Sequence, residues 1–233
     1  MSYFSLPSLQ QKKGNRYDVM MKFSLQLIRL VLLCETQFLR CRFIRDSGTR
    51  FSPIFTEMNT MTHILFLGDS LIADHDWQAR MPSYEIHNLG VPGAITSDVF
   101  ESLSDVKTEV EHTDVIMLMI GTNDLLIGDF DFLHVLKKVL VQLNTLYPLA
   151  EIIVGSLFPM DLSHLPFNTI PSLNCHIEAI TMQTGSCFLD VYKRFDDSDK
   201  EIFQDDGIHV TSAAYEIWTR SLLEYIAFLI ESD

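Results

Sequence analysis

The chain has few cysteines, few basic residues and no long uninterrupted apolar run. Its four cysteines (Cys34, Cys41, Cys175, Cys187) form no Cys-x-x-Cys pair and no His/Cys spacing of a structural metal site. That excludes a zinc ribbon or a disulfide-stapled scaffold. The cysteines read as unpaired thiols in a reducing compartment, with a 175–187 disulfide as the alternative. Lys and Arg total 17 against 31 Asp and Glu, a net charge of −14. Such a chain repels phosphate backbones, so no nucleic-acid partner is expected. The most apolar stretch of the first sixty residues, 23–33, is interrupted by Arg29 and falls short of the about 20 residues a membrane span needs. Repeats, low-complexity tracts and the Gly-x-Ser-x-Gly elbow are also missing. What is present is enough apolar residue to build a core: 47% hydrophobic against 21% charged.

Charge divides the chain. Residues 1–60 hold nine Lys/Arg and four Asp/Glu, a balance of +5, which leaves −19 for 61–233. This places a boundary near residue 60, with an N-terminal extension before it and one domain over 61–233. Three readings of 1–60 stay open: an extension without catalytic consequence, lying upstream of Met58 and Met61; an amphipathic helix that contacts a membrane or a partner; and an export signal, for which Lys22 and the run 23–33 are a partial match. A cytoplasmic protein is the expectation, with export as the alternative.

Past residue 60, short apolar runs alternate with longer amphipathic stretches. Strands are expected at 62–67, 84–88, 114–120, 151–156 and 187–191, the second of them short. Runs with almost no polar face belong to strands buried on both sides, as in a parallel sheet between helices. Helical spacing covers 97–111, 130–146, 170–183 and 212–230, and only a brief helix fits between Ser70 and Tyr84. The alternation predicts a three-layer α/β/α domain, with ligands beyond the carboxyl ends of the strands.

Three polar blocks fall at that rim: Gly68-Asp69-Ser70-Leu71 after the first strand, Gly121-Thr122-Asn123-Asp124 after the third, and Asp206-Gly207-Ile208-His209 before the last helix. Gly90 comes directly after the second strand. Ser70 is the candidate nucleophile, which needs a neighbouring base to take its proton. His209 is the candidate base, since an imidazole with an ordinary pKa near ~6.5 can accept that proton and return it. Asp206, three residues earlier, can bend back to fix the imidazole tautomer. The Asn123 amide and the N–H groups of Ser70 and Gly90 are candidate oxyanion donors. Asp69, Asp124 and Asp205 read as structural or solvated, because this mechanism needs no further carboxylate. His63, His75, His87, His112, His134, His164 and His176 read as surface or satisfied core residues, and no metal site is expected.

Ser70, Gly90, Asn123 and His209, in this order and after successive strands, resemble the signature of the GDSL, or SGNH, hydrolases. The resemblance spans 62–230 and none of 1–60. The run Gln204-Asp205-Asp206-Gly207-Ile208-His209 looks most like the bacterial thioesterase I/lysophospholipase branch. The family implies a flavodoxin-like sheet of five parallel strands and hydrolysis of esters or thioesters through an acyl-enzyme, without metal or cofactor. Its substrates range over lipid esters, acyl-CoA, aryl esters and sugar acetates. Leu125, Leu126, Met160, Leu165 and Phe167 are expected either to line an acyl groove or merely to cover the core; a groove would favour medium acyl chains, because each buried methylene contributes about 0.8 kcal/mol. A carbohydrate O-acetylesterase and a catalytically silent binding protein of the same fold are the alternatives.

Overall fold

The computed structural model describes residues 61–162, 165–166 and 168–231. The readings made for 1–60, for His164 and for Phe167 lie outside the described residues. Five strands form one parallel sheet in the order β2-β1-β3-β4-β5: β1 (Thr62–Gly68), β2 (Tyr84–Gly90), β3 (Val115–Met119), β4 (Glu151–Gly155) and β5 (Cys187–Leu189). The three central strands are buried on both faces, β3 along its whole length, which is why their sequences run apolar without alternation.

Helices α1 (Ser70–Ala73) and α2 (Trp77–Arg80) link β1 to β2, and α3 (Thr96–Glu109) links β2 to β3. After β3 come α4 (Thr122–Leu126) and α5 (Phe132–Leu146). Then α6 (Thr169–Thr184), α7 (Val191–Asp196) and α8 (Ser212–Glu231) complete the domain. One helical layer packs α3 on α5 and α5 on α6. The other joins α7 to α8 and α2 to α8 through edge-on contacts of Trp77 with Tyr215 and Trp218, the latter at 4.9 Å. Phe66 of β1 stacks on Trp77 at 4.4 Å, so the first strand is anchored to that aromatic cluster. This is the expected three-layer α/β/α fold.

The second strand is longer than expected. All seven residues of β2 pair with β1, from Thr62↔Tyr84 to Gly68↔Gly90. Gly90 is a poor strand former by composition, but register of Leu89 and Gly90 with Leu67 and Gly68 carries both into the sheet. The free edge of β2 is partly covered. The Gln78 side chain donates to the Tyr84 carbonyl at 2.9 Å and accepts from the Ile86 N–H at 3.1 Å, which blunts the edge against pairing with another chain. Cys175 and Cys187 are unpaired. No described helix is long and apolar enough to cross a membrane.

Candidate active site

Ser70 opens α1 directly beyond β1. A side chain at Gly68 would place its first carbon 2.0 Å from the Met119 carbonyl oxygen of β3, so only glycine lets the chain turn out of the sheet here. Asp69 then caps α1: its Oδ1 accepts from the Leu71 N–H at 2.9 Å. The far end of α1 is held by three side chains. Tyr215 Oη donates to the Leu71 carbonyl at 2.9 Å, Trp77 Nε1 to the Ile72 carbonyl at 2.9 Å, and Asn88 Nδ2 to that same Ile72 oxygen at 3.1 Å. These bonds tie the nucleophile turn to α2, α8 and β2.

His209 comes from the loop before α8. Its Nε2 lies 3.0 Å from Ser70 Oγ, and its Nδ1 lies 2.6 Å from Asp206 Oδ2. With the proton on Nδ1 donated to Asp206, Nε2 is left as the acceptor for the serine hydroxyl. Asp206 Oδ1 accepts from the N–H groups of Ile208 and His209, each at 2.9 Å. The carboxyl is held well below its usual range, to about 2, by the His209 hydrogen bond first and by these two N–H bonds after it. Asp206 is therefore an anion throughout the neutral range. The loop closes on itself through Gln204 N–H to the His209 carbonyl at 2.8 Å and Gln204 Nε2 to the Val210 carbonyl at 2.9 Å.

Asn123 lies in the first turn of α4. One of its amide N–H groups donates to the Ala94 carbonyl at 2.9 Å, which leaves the second available to a ligand. The loop containing Ala94 is pinned at its start as well, by the Val91 N–H donating to the Gly68 carbonyl at 2.9 Å. Asp124 fastens the next turn, accepting from the Thr96 N–H and hydroxyl, both at 3.0 Å.

Gly90 does not fill its expected part. Its N–H donates to Asn88 Oδ1 at 3.1 Å, so that donor is already used. A side chain at Gly90 would reach within 2.6 Å of the Ala73 nitrogen, so this glycine serves close packing of β2 against α1. The free donor on the same loop is Gly93, three residues on, at φ +79. The N–H groups of Gly93 and Ser70 have no acceptor among the described residues. The second glycine of Gly-Val-Pro-Gly was the available signal, because Pro92 breaks the strand and exposes the residues beyond it.

Two further carboxylates are buried behind the site. Asp69 is fully buried, its Oδ2 has no partner, and burial raises its pKa to about 7. Asp124 is 1% exposed and is likewise raised, burial again being the main cause. Asp69 caps α1 and Asp124 ties α4 to α3, and neither is solvated.

The expected acyl groove is only partly built. Leu125 is completely buried in the core and borders none of the described cavities, because the fourth residue of α4 turns inward. Leu126 is 38% exposed. Met160 and Leu165 do line a groove, about 800 Å³, with Leu162, Ile170 and Tyr192, yet none of Ser70, Asn123 and His209 borders it. A smaller apolar cavity of about 340 Å³ lies under the Val91–Ala94 loop and shares Gly68 and Gly93 with the nucleophile turn and the donor loop.

A sequence model of the GDSL-like Lipase/Acylhydrolase family matches residues 66–217. Among solved structures, the acetylxylan esterase Axe2 from Geobacillus stearothermophilus superimposes with a TM-score of 0.59 at 20% identity, covering 72% of this chain and 95% of Axe2. A member of the lipolytic protein G-D-S-L family from Veillonella parvula gives 0.57 at 22% identity, covering 70% and 97%. These likenesses concern the fold. No curated protein matches the chain.

Proposed function

The chain belongs to the GDSL-like lipase/acylhydrolase family and is a carboxylic ester hydrolase, and from that premise we propose that it works through a serine acyl-enzyme formed on Ser70. The observation that carries this reading is the continuous relay from Ser70 Oγ to His209 Nε2 at 3.0 Å and from His209 Nδ1 to Asp206 Oδ2 at 2.6 Å.

In the proposed sequence, Ser70 Oγ attacks the ester carbonyl carbon while His209 Nε2 takes the hydroxyl proton. The carbonyl oxygen becomes an oxyanion that accepts from the N–H groups of Ser70 and Gly93 and from the free N–H of Asn123. Collapse breaks the carbon–oxygen bond to the alcohol, which leaves with the proton held on His209. Water, deprotonated by the same imidazole, then releases the acid and restores Ser70. Asp206 keeps the imidazole in the productive tautomer and stabilises its cation.

For substrate, our first reading is an acyl ester of the lysophospholipid, acyl-CoA or aryl type, in keeping with the resemblance of residues 204–209 to the thioesterase I/lysophospholipase branch. The exposed apolar residues Val91 and Ile127, 59% and 67% accessible, flank the donor segments and support it. A second reading, a carbohydrate O-acetyl ester, is favoured by the small cavity beside Gly93 and by the loss of Leu125 to the core. A series of p-nitrophenyl esters from two to twelve carbons separates them: a maximum at six or more carbons supports the first, and a steep preference for acetate supports the second. The mechanism itself is tested by a fluorophosphonate probe, expected to label the wild-type chain and not S70A. Equal labelling of both chains overturns it.

A further inference from the structure

Away from the catalytic rim, the amino-terminal end of the sheet brings together three side chains from two separate strands. His63 of β1 pairs in register with Glu85 of β2, and His87 lies two positions beyond Glu85. Residues opposite one another on neighbouring strands, and residues two apart on one strand, share a face. His63, Glu85 and His87 therefore share one face of the sheet. The Glu85 carboxylate sits between the two rings. One oxygen is 3.7 Å from His63 Nδ1 and the other 3.6 Å from His87 Nε2. The rings themselves run nearly parallel, 14° apart with centroids at 6.3 Å.

One nitrogen from each histidine and one carboxylate oxygen lie within 4.8 Å of one another. Both separations are at ion-pair range but longer than hydrogen bonds, so a metal ion would replace two long contacts with short bonds. We propose that His63, Glu85 and His87 form a binding site for a divalent transition-metal ion, zinc being the occupant the donors suit best.

Two imidazoles and a carboxylate are a zinc donor set, with bonds of about 2.0–2.2 Å and a fourth position left to water. Ligands around a tetrahedral zinc stand about 3.3 Å apart, so the three half-exposed side chains need only draw inward. Their backbones are fixed in advance. The His63 carbonyl accepts from the Asp114 N–H at 3.0 Å and the Thr113 hydroxyl at 2.9 Å, and the His63 N–H donates to Asp114 Oδ2 at 2.8 Å. Gln78 clamps β2 on either side of Glu85. The balance of −19 over 61–233 adds a long-range pull on cations. The site lies at the other end of β1 from Ser70, about 17 Å along the strand, so its metal cross-links the edge strand to the sheet and takes no part in ester cleavage.

Calorimetric titration of the full chain with zinc sulfate tests this. Wild-type protein is expected to bind one zinc at this site with micromolar affinity and to melt at a higher temperature when loaded. H87A and H63A each lose that site, E85Q binds about tenfold or more weakly, and ester hydrolysis is unchanged in all three. Because E85Q keeps the side-chain shape, it carries the test if a histidine variant fails to fold. Unchanged zinc isotherms in H87A and E85Q, or no binding by the wild type below about 100 µM, overturn the proposal. Neither result bears on the acyl-enzyme reading.

Discussion

Ser70 and His209 meet at 3.0 Å, yet they arrive from differently built regions. On the Ser70 side, Asp69 and Leu71 are fully buried, Gly68 has no room for a side chain, and bonds from Tyr215, Trp77 and Asn88 hold the carbonyls of α1. On the His209 side, the Asp206 and His209 side chains are 47% and 37% exposed, and the loop is held mainly by bonds among its own residues 204–210. The nucleophile, itself half-buried, is mounted directly on the core, and the base is carried by a surface loop. Damage to the first region should therefore cost stability as well as activity, whereas damage to the second should cost activity alone.

The largest effects test that division directly. S70A and H209A are each expected to lower kcat by about 10⁴-fold or more, and H209A should melt within a degree or two of wild type. A loss of several degrees in H209A would place the loop within the cooperative core. By contrast, G68A should fail to accumulate as folded protein, because the methyl group collides with the backbone of β3. A stable G68A would show that the turn can relax.

Next in size is the Asn123 donor on α4. N123A removes one oxyanion donor and should lower kcat by about 10²–10³-fold. It also frees the Ala94 carbonyl, so a modest fall in melting temperature should accompany it. D206A should hurt turnover by roughly two orders of magnitude less than S70A, since Asp206 orients and does not react, and should leave thermal stability nearly unchanged.

The smallest effect concerns pH. Asp69 has a folded pKa of about 7 against an ordinary value of 3.8, so the folded chain holds a proton that the unfolded chain releases. Its contribution to stability is complete below pH 3.8 and is lost as pH rises through about 7. In D69N, whose amide oxygen can still accept from Leu71 N–H, the drop in melting temperature between pH 5 and 8 should be smaller than in wild type. Parallel pH profiles for the two proteins would contradict the buried, unpartnered carboxyl.

Much of this was legible in the sequence because a parallel sheet turns chain order into spatial order. Once the apolar runs at 62–67, 114–120 and 151–156 read as doubly buried strands, the residues after them had to share a rim, and Ser70 and Asn123 took their places on it. Other features depended on contacts that no local pattern reveals. Gly90 is the natural donor by sequence, but in the fold the Asn88 side chain, two residues back, occupies its N–H. Leu125 and Leu126 are adjacent apolar residues, and only the orientation of a five-residue helix decides that the first is core and the second is surface. The pairing of His63 with Glu85 needed the register of β1 on β2, which neither strand specifies alone.

The most direct measurement is rapid-quench mass spectrometry of the full chain during turnover of p-nitrophenyl acetate. The account predicts an added acetyl group confined to the peptide that contains Ser70, present in wild type and missing in S70A. Turnover with no acylated peptide, or with the acyl group on a different residue, would contradict it.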